Sequence, residues 1–392
     1  MSWPTVSLGD VFEVARGGSP RPIDDYITDD PDGVNWISIR DASNSSKYIT
    51  HTEKKIKKSG VSKSRMVYPG DFLLTNSMSF GRPYILKTSG CIHDGWLVLS
   101  SNKDVIDQDY FFHLLGSEQT YRKFASLAAG AVVKNLNTEL VKKVLIPLPP
   151  LPEQRRIAAI LDKADALRAK RREAIAKLDQ LLQSVFLEMF GDPVTNPKKW
   201  PGHTLGDSVL EMQYGPRFHN ERYSSGGIRI VRITDLSPTG ELNFSAMPRM
   251  DVDTDVQARF ILQPGDLIFA RTGATVGKVA LIKASDPPSI AGAYFIRMQF
   301  NESVLSEYIF TALRSQSIQK LISVKSRQAA QQNFSGPGPR QLPMPMPPLE
   351  LQHRFARVAE GVEQQKGILQ HHAAQQETLF ASLQHRAFAG EL

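Results

Sequence analysis

The chain has 392 residues, a formal net charge of +7 from 47 Lys+Arg against 40 Asp+Glu, and one cysteine, Cys91. This length predicts two or three domains, and the single cysteine excludes a disulfide framework and a thiolate zinc site. No apolar run reaches the roughly 20 residues that span a bilayer, and the first residues lack a signal-peptide pattern. We therefore expect a cytoplasmic, globular protein with no membrane partner, and the mild basic excess permits a nucleic-acid partner.

Residues 1–148 form the first predicted domain, which is rich in short strands and turns. The apolar run Phe72-Leu73-Leu74 follows a Pro-Gly-Asp turn and predicts a buried strand. The segment from Tyr110 to Phe124 has the pattern of short helices. This domain is predicted to be α+β with mixed, mostly β structure.

Residues 149–191 form a predicted helical spacer. A proline run over 147–152 is followed by a stretch that contains no Pro or Gly until Gly191. Proline before the first turn and glycine after the last turn are typical of a long helix. Apolar residues recur at alternating spacings of four and three, which predicts a coiled-coil seam. The seam residues assigned to this helix are Ile157, Leu161, Ile175, Leu178, Leu182 and Val185.

The rest of the chain repeats the first half. Trp3-Pro4 recurs as Trp200-Pro201, and Pro69-Gly70-Asp71 recurs as Pro264-Gly265-Asp266, with shifts that stay between 194 and 198 residues. The repeat predicts a second α+β domain at 192–346 and a second helical spacer at 347–392. The seam residues of the second helix are Phe355, Val362, Leu369, Phe380 and Leu383. The predicted architecture is two β-rich α+β domains and two long antiparallel coiled-coil helices, related by a pseudo-two-fold internal repeat.

Three motifs carry a resemblance to a known family. They are the string from Pro149 to Ala158 (PPLPEQRRIA), the turn Gly17-Gly18-Ser19-Pro20, and the string Tyr214-Gly215-Pro216-Arg217-Phe218. With the repeat, they make the chain similar to the DNA-specificity (S) subunit of type I restriction–modification enzymes.

The resemblance implies a non-catalytic subunit that binds double-stranded DNA at a bipartite, interrupted site. Each recognition domain would read one half of the site, and the helices would set the spacing and bind two modification (methyltransferase) subunits. Restriction subunits would join the same complex. Family membership further implies that S-adenosylmethionine, ATP and Mg are used by those partners, so that this chain needs no cofactor and no metal.

Residues that could contact DNA fall into two groups. The basic run Lys54, Lys55, Lys57 and Lys58 would contact phosphates, or would form an ordinary solvated loop, and Lys278 in a glycine turn would also contact a phosphate. Base edges are typically read by Arg, Asn and Gln. The candidates for base reading are Arg16, Arg21, Asn76 and Arg82 in the first domain and Arg217, Arg271, Gln331 and Gln332 in the second.

Other readings remain open in the sequence. The string Asp286-Pro287-Pro288-Ser289 lacks the aromatic residue of an adenine-methyltransferase motif, and His371-His372 has no carboxylate at metal-ligand spacing. We therefore expect no catalytic residue and no metal site. The alternatives are a two-headed protein–protein scaffold and an enzyme with an unrecognised site.

Overall fold

A computed structural model describes residues 3–76, 81–101, 104–129, 136–218, 222–327, 334 and 337–392. The chain divides into two compact units. Unit 1 is Met1–Arg171 with His372–Leu392, and unit 2 is Arg172–His371. Because both boundaries fall inside long helices, each of these helices contributes to both units.

The regular elements are short except for two helices. The strands are β1 (Thr5–Ser7), β2 (Glu13–Arg16), β3 (Ile27–Thr28), β4 (Val34–Ile37), β5 (Tyr48–Ile49), β6 (Lys54–Ile56), β7 (Arg65–Val67), β8 (Phe72–Thr75), β9 (Pro83–Leu86), β10 (Gly90–Ile92), β11 (Trp96–Ser100), β12 (Leu145–Pro147), β13 (Val209–Tyr214), β14 (Tyr223–Ser224), β15 (Ile228–Val231), β16 (Arg249–Met250), β17 (Leu267–Ala270), β18 (Val279–Leu281), β19 (Ser289–Ala291) and β20 (Phe295–Phe300). The α-helices are α1 (Leu8–Val11), α2 (Ile39–Ser43), α3 (Gln108–Leu115), α4 (Glu118–Ala129), α5 (Thr138–Lys142), α6 (Leu151–Phe190), α7 (Leu205–Ser208), α8 (Thr254–Phe260), α9 (Ser306–Leu313), α10 (Gln316–Arg327), α11 (Pro337–Arg340) and α12 (Leu349–Ala389). Short 3₁₀ turns cover Ile23–Asp25, Lys58–Lys63, Ile233–Asp235 and Gly273–Thr275.

Unit 1 contains two five-stranded sheets, with strand orders β2-β11-β8-β9-β5 and β3-β6-β4-β10-β7, and the pair β1-β12. Most pairs are antiparallel, whereas β4–β10 and β5–β9 are parallel. Strand β8 is buried on both faces: Phe72 and Leu74 join the core that includes the helices, and Leu73 joins the core formed with residues of the second sheet. Burial on both faces explains why this strand is apolar at successive positions instead of alternating.

Unit 2 repeats this topology with one strand fewer in each sheet. Its sheets have the orders β13-β20-β17-β18 and β14-β16-β15-β19, and β17 is again buried on both faces. Even the small pair β1–β12 has a counterpart, because the partners Ser7 and Leu145 correspond to the bridge between Thr204 and Pro343. The predicted α+β architecture with an internal repeat is therefore confirmed.

The helices α6 and α12 begin and end in the same way. The amides of Glu153 and Gln154 donate to Pro150 O, so α6 starts two residues before the predicted Glu153, with Pro152 in the first turn where proline is tolerated. Gly191 and Gly390 follow the last turns at a φ of +80°. The indoles of the repeated tryptophans donate to the ends of these helices: Trp200 Nε1 to Phe190 O and Trp3 Nε1 to Ala387 O, both at 2.9 Å.

Within each unit the segments of α6 and α12 run antiparallel. In unit 1, Arg168 pairs with Glu377 and stacks on Phe380 at 4.1 Å. In unit 2, Lys366 Nζ lies 2.9 Å from Asp179 Oδ1. Of the predicted seam residues, Ile157, Leu161, Leu182, Phe355 and Val362 are buried, and Ile175, Leu178, Val185, Leu369, Phe380 and Leu383 are half-buried.

Two phenylalanines absent from the predicted seam are also buried. Phe186 and Phe190 contact Tyr308 and Phe355 with ring centroids 4.9–5.5 Å apart. The last turns of α6 therefore pack on helix α9 as well as on α12, so their apolar face is wider than a two-helix seam requires.

Candidate nucleic-acid interface

A tight turn between β10 and β11 of unit 1 brings separate segments together. The turn contains His93, Asp94 and Gly95, and we call it the Asp94 turn. Gly17 N donates to Trp96 O at 3.0 Å, and Gly18 N donates to Ile92 O at 3.1 Å. A Cβ atom on Gly17 would lie 2.1 Å from His93 O, so only glycine permits this approach of two backbones.

Three of the candidates for base reading meet at Asp94. Arg16 Nε donates to Asp94 O at 3.0 Å, and Asn76 Nδ2 donates to the same oxygen at 2.7 Å. Arg21 NH2 lies 3.2 Å from Asp94 Oδ2. The Ser19 hydroxyl donates to Asp94 Oδ1 at 2.8 Å, and this hydrogen bond, with the charge of Arg21, lowers the pKa of the Asp94 carboxyl.

Exposure separates the roles of these side chains. The Arg21 side chain is 80% exposed and Arg16 is also exposed, so both can reach a ligand in solution. Asn76 is only 3% exposed, and its amide is used to hold the turn. The Asn76 amide thus helps to position the Asp94 turn, and its role in base reading stays a prediction.

Unit 2 contains the same backbone arrangement with different side chains. Gly215 corresponds to Gly17, and a Cβ atom there would lie 2.1 Å from Ala291 O. Arg271 corresponds to Asn76, and its Nε donates to Ala293 O at 3.0 Å. Ala293 replaces Asp94, so we call this the Ala293 turn. The Arg271 guanidinium lies 5.0 Å from the centre of the Tyr214 ring.

The structure places Arg217 two residues after Gly215, in an exposed position. Arg82 is exposed and stacks on Tyr84 at 5.2 Å. No hydrogen bond joins Arg82 to Asp94 within the described residues. Gln331 and Gln332 lie outside the described residues, so their predicted role stays a prediction.

The lysine run lies beside an acidic segment. Lys55 Nζ donates to Pro31 O and Lys57 Nζ to Asp25 O, both at 2.8 Å. Lys58 lies 4.0 Å from Asp32, and Lys54 is exposed on β6. The segment 24–32 contains five aspartates, which reduce the positive potential that a phosphate would meet.

Lys278 is half-buried and lines a cavity of about 440 Å³ together with Asp179, Gln183 and Arg314. Two of these residues belong to α6. Lys278 is thus beside the long helices instead of in the Ala293 turn.

Sequence reasoning missed Asp94, Ser19 and Tyr214. A signal for them was present, because the glycines of Gly-Gly-Ser-Pro and Tyr-Gly-Pro match at a shift of 198 residues. That match marks one backbone position that needs glycine in both halves of the chain. The neighbours of the glycine could have been proposed from this match.

Exposed guanidinium groups held at a rigid turn have the chemistry for reading a nucleic acid. An arginine has five N–H donors, and Arg21 uses one of them on Asp94. The others remain for the guanine edge or for a phosphate.

Among the described residues, no group of three or more His, Cys, Asp or Glu is arranged to hold a metal ion. No helix in the described ranges is long and apolar enough to cross a membrane.

Comparison with known sequences finds one family on both halves of the chain. The type I restriction modification DNA specificity domain matches residues 2–177 and 197–375. The MjaVIII specificity subunit of Methanocaldococcus jannaschii is 22% identical over 378 residues, which cover 92% of this chain and 86% of that protein. The EcoBI specificity subunit of Escherichia coli is 21% identical over 428 residues, which cover 100% of this chain and 86% of that protein.

Solved structures share the fold. The S subunit of a type I restriction–modification system from M. genitalium is 16% identical with a TM-score of 0.52, covering 98% of this chain and 96% of that one. A chain from a study of complex assembly and conformational transition in a type I restriction–modification system gives a TM-score of 0.58 at 18% identity, covering 100% and 98%. These likenesses support the fold described above.

Proposed function

Because this chain belongs to the type I restriction–modification DNA-specificity family, we propose that its two domains each read one half of a bipartite, interrupted site on double-stranded DNA. The Asp94 turn would face one half-site and the Ala293 turn the other. Relatives that match most of the chain are specificity subunits, and no comparison favours the protein–protein scaffold.

One observation carries this proposal: the two units share the backbone of the turn and differ in its side chains. Arg21, Asp94 and Asn76 of unit 1 form a charged, hydrogen-bonded group. Unit 2 has Ala293 and Arg271 at the matching places, with Tyr214 under the guanidinium. A common scaffold with different donors and acceptors is suited to reading two different base sequences.

The proposal also includes partners. The helices α6 and α12 would set the gap between the half-sites and dock two methyltransferase subunits, and restriction subunits would join the complex. A duplicated chain offers each docking surface twice, which supports two copies of the methyltransferase.

This chain would supply sequence specificity and no catalysis. Methylation with S-adenosylmethionine and ATP- and Mg-dependent cleavage would be carried out by the partner subunits. The Asp94 and Ala293 turns contain donors that suit recognition, which agrees with a role in binding.

The test is a genome-wide map of N6-methyladenine in cells that express this chain with the methyltransferase encoded beside it. Deletion of this chain should remove methylation at one asymmetric, interrupted motif. Replacement of residues 1–148 by the matching domain of a relative should change one half of the motif and leave the other half unchanged. A map that is unaltered by the deletion, with an active methyltransferase present, would refute the proposal.

A further inference from the structure

Unit 2 contains a large acidic cavity. It has a volume of about 1020 Å³ and lies between the loop 234–244, helix α9 and the part of α12 that belongs to unit 2. Its lining includes Asp286, Glu307, Glu360 and Glu363. We call this the acidic cavity.

The internal repeat shows what such carboxylates bind in the other half of the chain. Glu307 and Glu360 correspond to Asp109 and Asp162 of unit 1 at a shift of 198 residues. In unit 1 the ammonium of Lys47 lies 2.7 Å from Asp109 Oδ1 and 2.9 Å from Asp162 Oδ1, and its side chain is 16% exposed. A lysine from the recognition domain therefore neutralises both carboxylates.

The correspondence is fixed by contacts as well as by sequence. Gln154 Oε1 accepts from Asp107 N at 2.8 Å, and Gln352 Oε1 accepts from Leu305 N at 2.9 Å. These bonds join the same two helices in each unit, α3 to α6 and α9 to α12, in the same register. Positions 307 and 360 thus correspond to 109 and 162 on these helices, with Glu307 half-buried and Glu360 exposed.

Unit 2 does not supply the lysine. The loop that corresponds to the one carrying Lys47 contains no lysine or arginine between residues 234 and 247. Neither Glu307 nor Glu360 has a cationic partner among the described residues. The lysine and arginine that line the cavity are Lys283, which pairs with Glu363 at 2.5 Å, and Arg357, which is exposed.

We propose that the acidic cavity receives a lysine or arginine side chain of the methyltransferase subunit that docks against unit 2, an inference that rests on the function proposed above. Charge selects a cationic occupant, and the acidic lining repels the phosphates of DNA. In unit 1 the same place is filled by Lys47, so the two docking surfaces differ in this contact. One of the two methyltransferase copies would therefore depend on the cavity.

The test uses the full chain, its methyltransferase and the double variant Glu307→Gln/Glu360→Gln. The matched control is Glu302→Gln/Glu350→Gln, because both control residues are exposed glutamates of unit 2 outside the cavity. Calorimetric titration with native mass spectrometry gives the affinity of each binding step. We expect the cavity variant to weaken one step about tenfold or more, since it removes charge-assisted hydrogen bonds, and to leave the other step unchanged. The control should change neither step.

The other outcomes are distinguishable. If the wild-type chain binds no methyltransferase, the proposed function fails at its partners. If two copies bind and both steps are unchanged in the cavity variant, this inference is overturned. The melting temperature of the variant chain alone should stay equal or rise, and a fall would assign the two glutamates to support of the fold. Spermidine serves as a small polycation probe: binding that the double variant abolishes, with methyltransferase affinity unchanged, would assign the cavity to a polyamine and overturn the proposal.

Discussion

Arg21→Ala should weaken binding to the half-site of unit 1 and leave the fold of unit 1 nearly intact. The ion pair of Arg21 with Asp94 is exposed, with side-chain exposures of 80% and 41%. Such pairs contribute about 0–1 kcal/mol to the free energy of unfolding. Loss of a specific arginine contact to a base costs about 1–3 kcal/mol of binding, which is roughly 5- to 150-fold in affinity. The effect on DNA should therefore exceed the effect on stability.

Fluorescence anisotropy of the assembled complex, titrated with DNA that carries the mapped motif, measures this effect. Salt dependence identifies the contact: a lost phosphate contact lowers the slope of log affinity against log salt by about 0.9 and weakens all sequences equally. A lost base contact leaves the slope unchanged and relaxes selectivity at one base pair of one half-site. The control is Arg122→Ala, because Arg122 is 77% exposed and pairs with Glu118 within helix α4. Equal losses for Arg21→Ala and Arg122→Ala, or none for either, would refute the reasoning.

Two further predictions concern stability. Lys366 is 3% exposed and pairs with Asp179 at 2.9 Å and Glu241 at 2.7 Å, so Lys366→Met should destabilise unit 2 by about 3 kcal/mol in denaturant unfolding. Addition of Asp179→Leu should recover part of this loss, and an unchanged midpoint for Lys366→Met would contradict the buried pair. In unit 1, burial lowers the pKa of His113 from its ordinary 6.5, against the opposing effect of Asp162. Because the unfolded imidazole then binds a proton at higher pH than the folded one, stability should fall as the pH drops below about 6.5. His113→Gln should reduce the dependence of the free energy of unfolding on pH below about 6.5. The same pH dependence in wild type and variant would contradict this role of His113.

The internal repeat of the sequence predicts the two-unit fold well, because matches between distant segments show which elements correspond. The matches around Trp3 and Trp200, and around Asp71 and Asp266, predict the same order of elements in both units. The first long helix was predicted from the proline run before it and the glycine after it, and the second was predicted from the repeat. The two units share a fold because they share this repeated sequence pattern.

The candidate site was harder to predict because its parts are far apart in the chain. Asp94 lies 73 residues from Arg21 and 18 from Asn76, and no periodicity connects them. Residue type also failed to distinguish an exposed Arg21 from a buried Asn76 at the same turn. The aspartates of 24–32 could not be placed beside the lysine run from the sequence, because the two segments are distant in the chain and adjacent only across β3 and β6.

The discontinuous make-up of unit 1 has a consequence for the order in which the protein is completed during synthesis. Its core contains Ala387 and Phe388, which pack with Ile157 and Leu161, and Trp3 donates its hydrogen bond to the same turn of α12. Unit 2 is contiguous from Arg172 to His371, so all of its residues leave the ribosome before the last segment of unit 1. Unit 1 therefore completes its core after unit 2, although its synthesis begins first. Part of its apolar surface stays uncovered until the end of α12 leaves the ribosome.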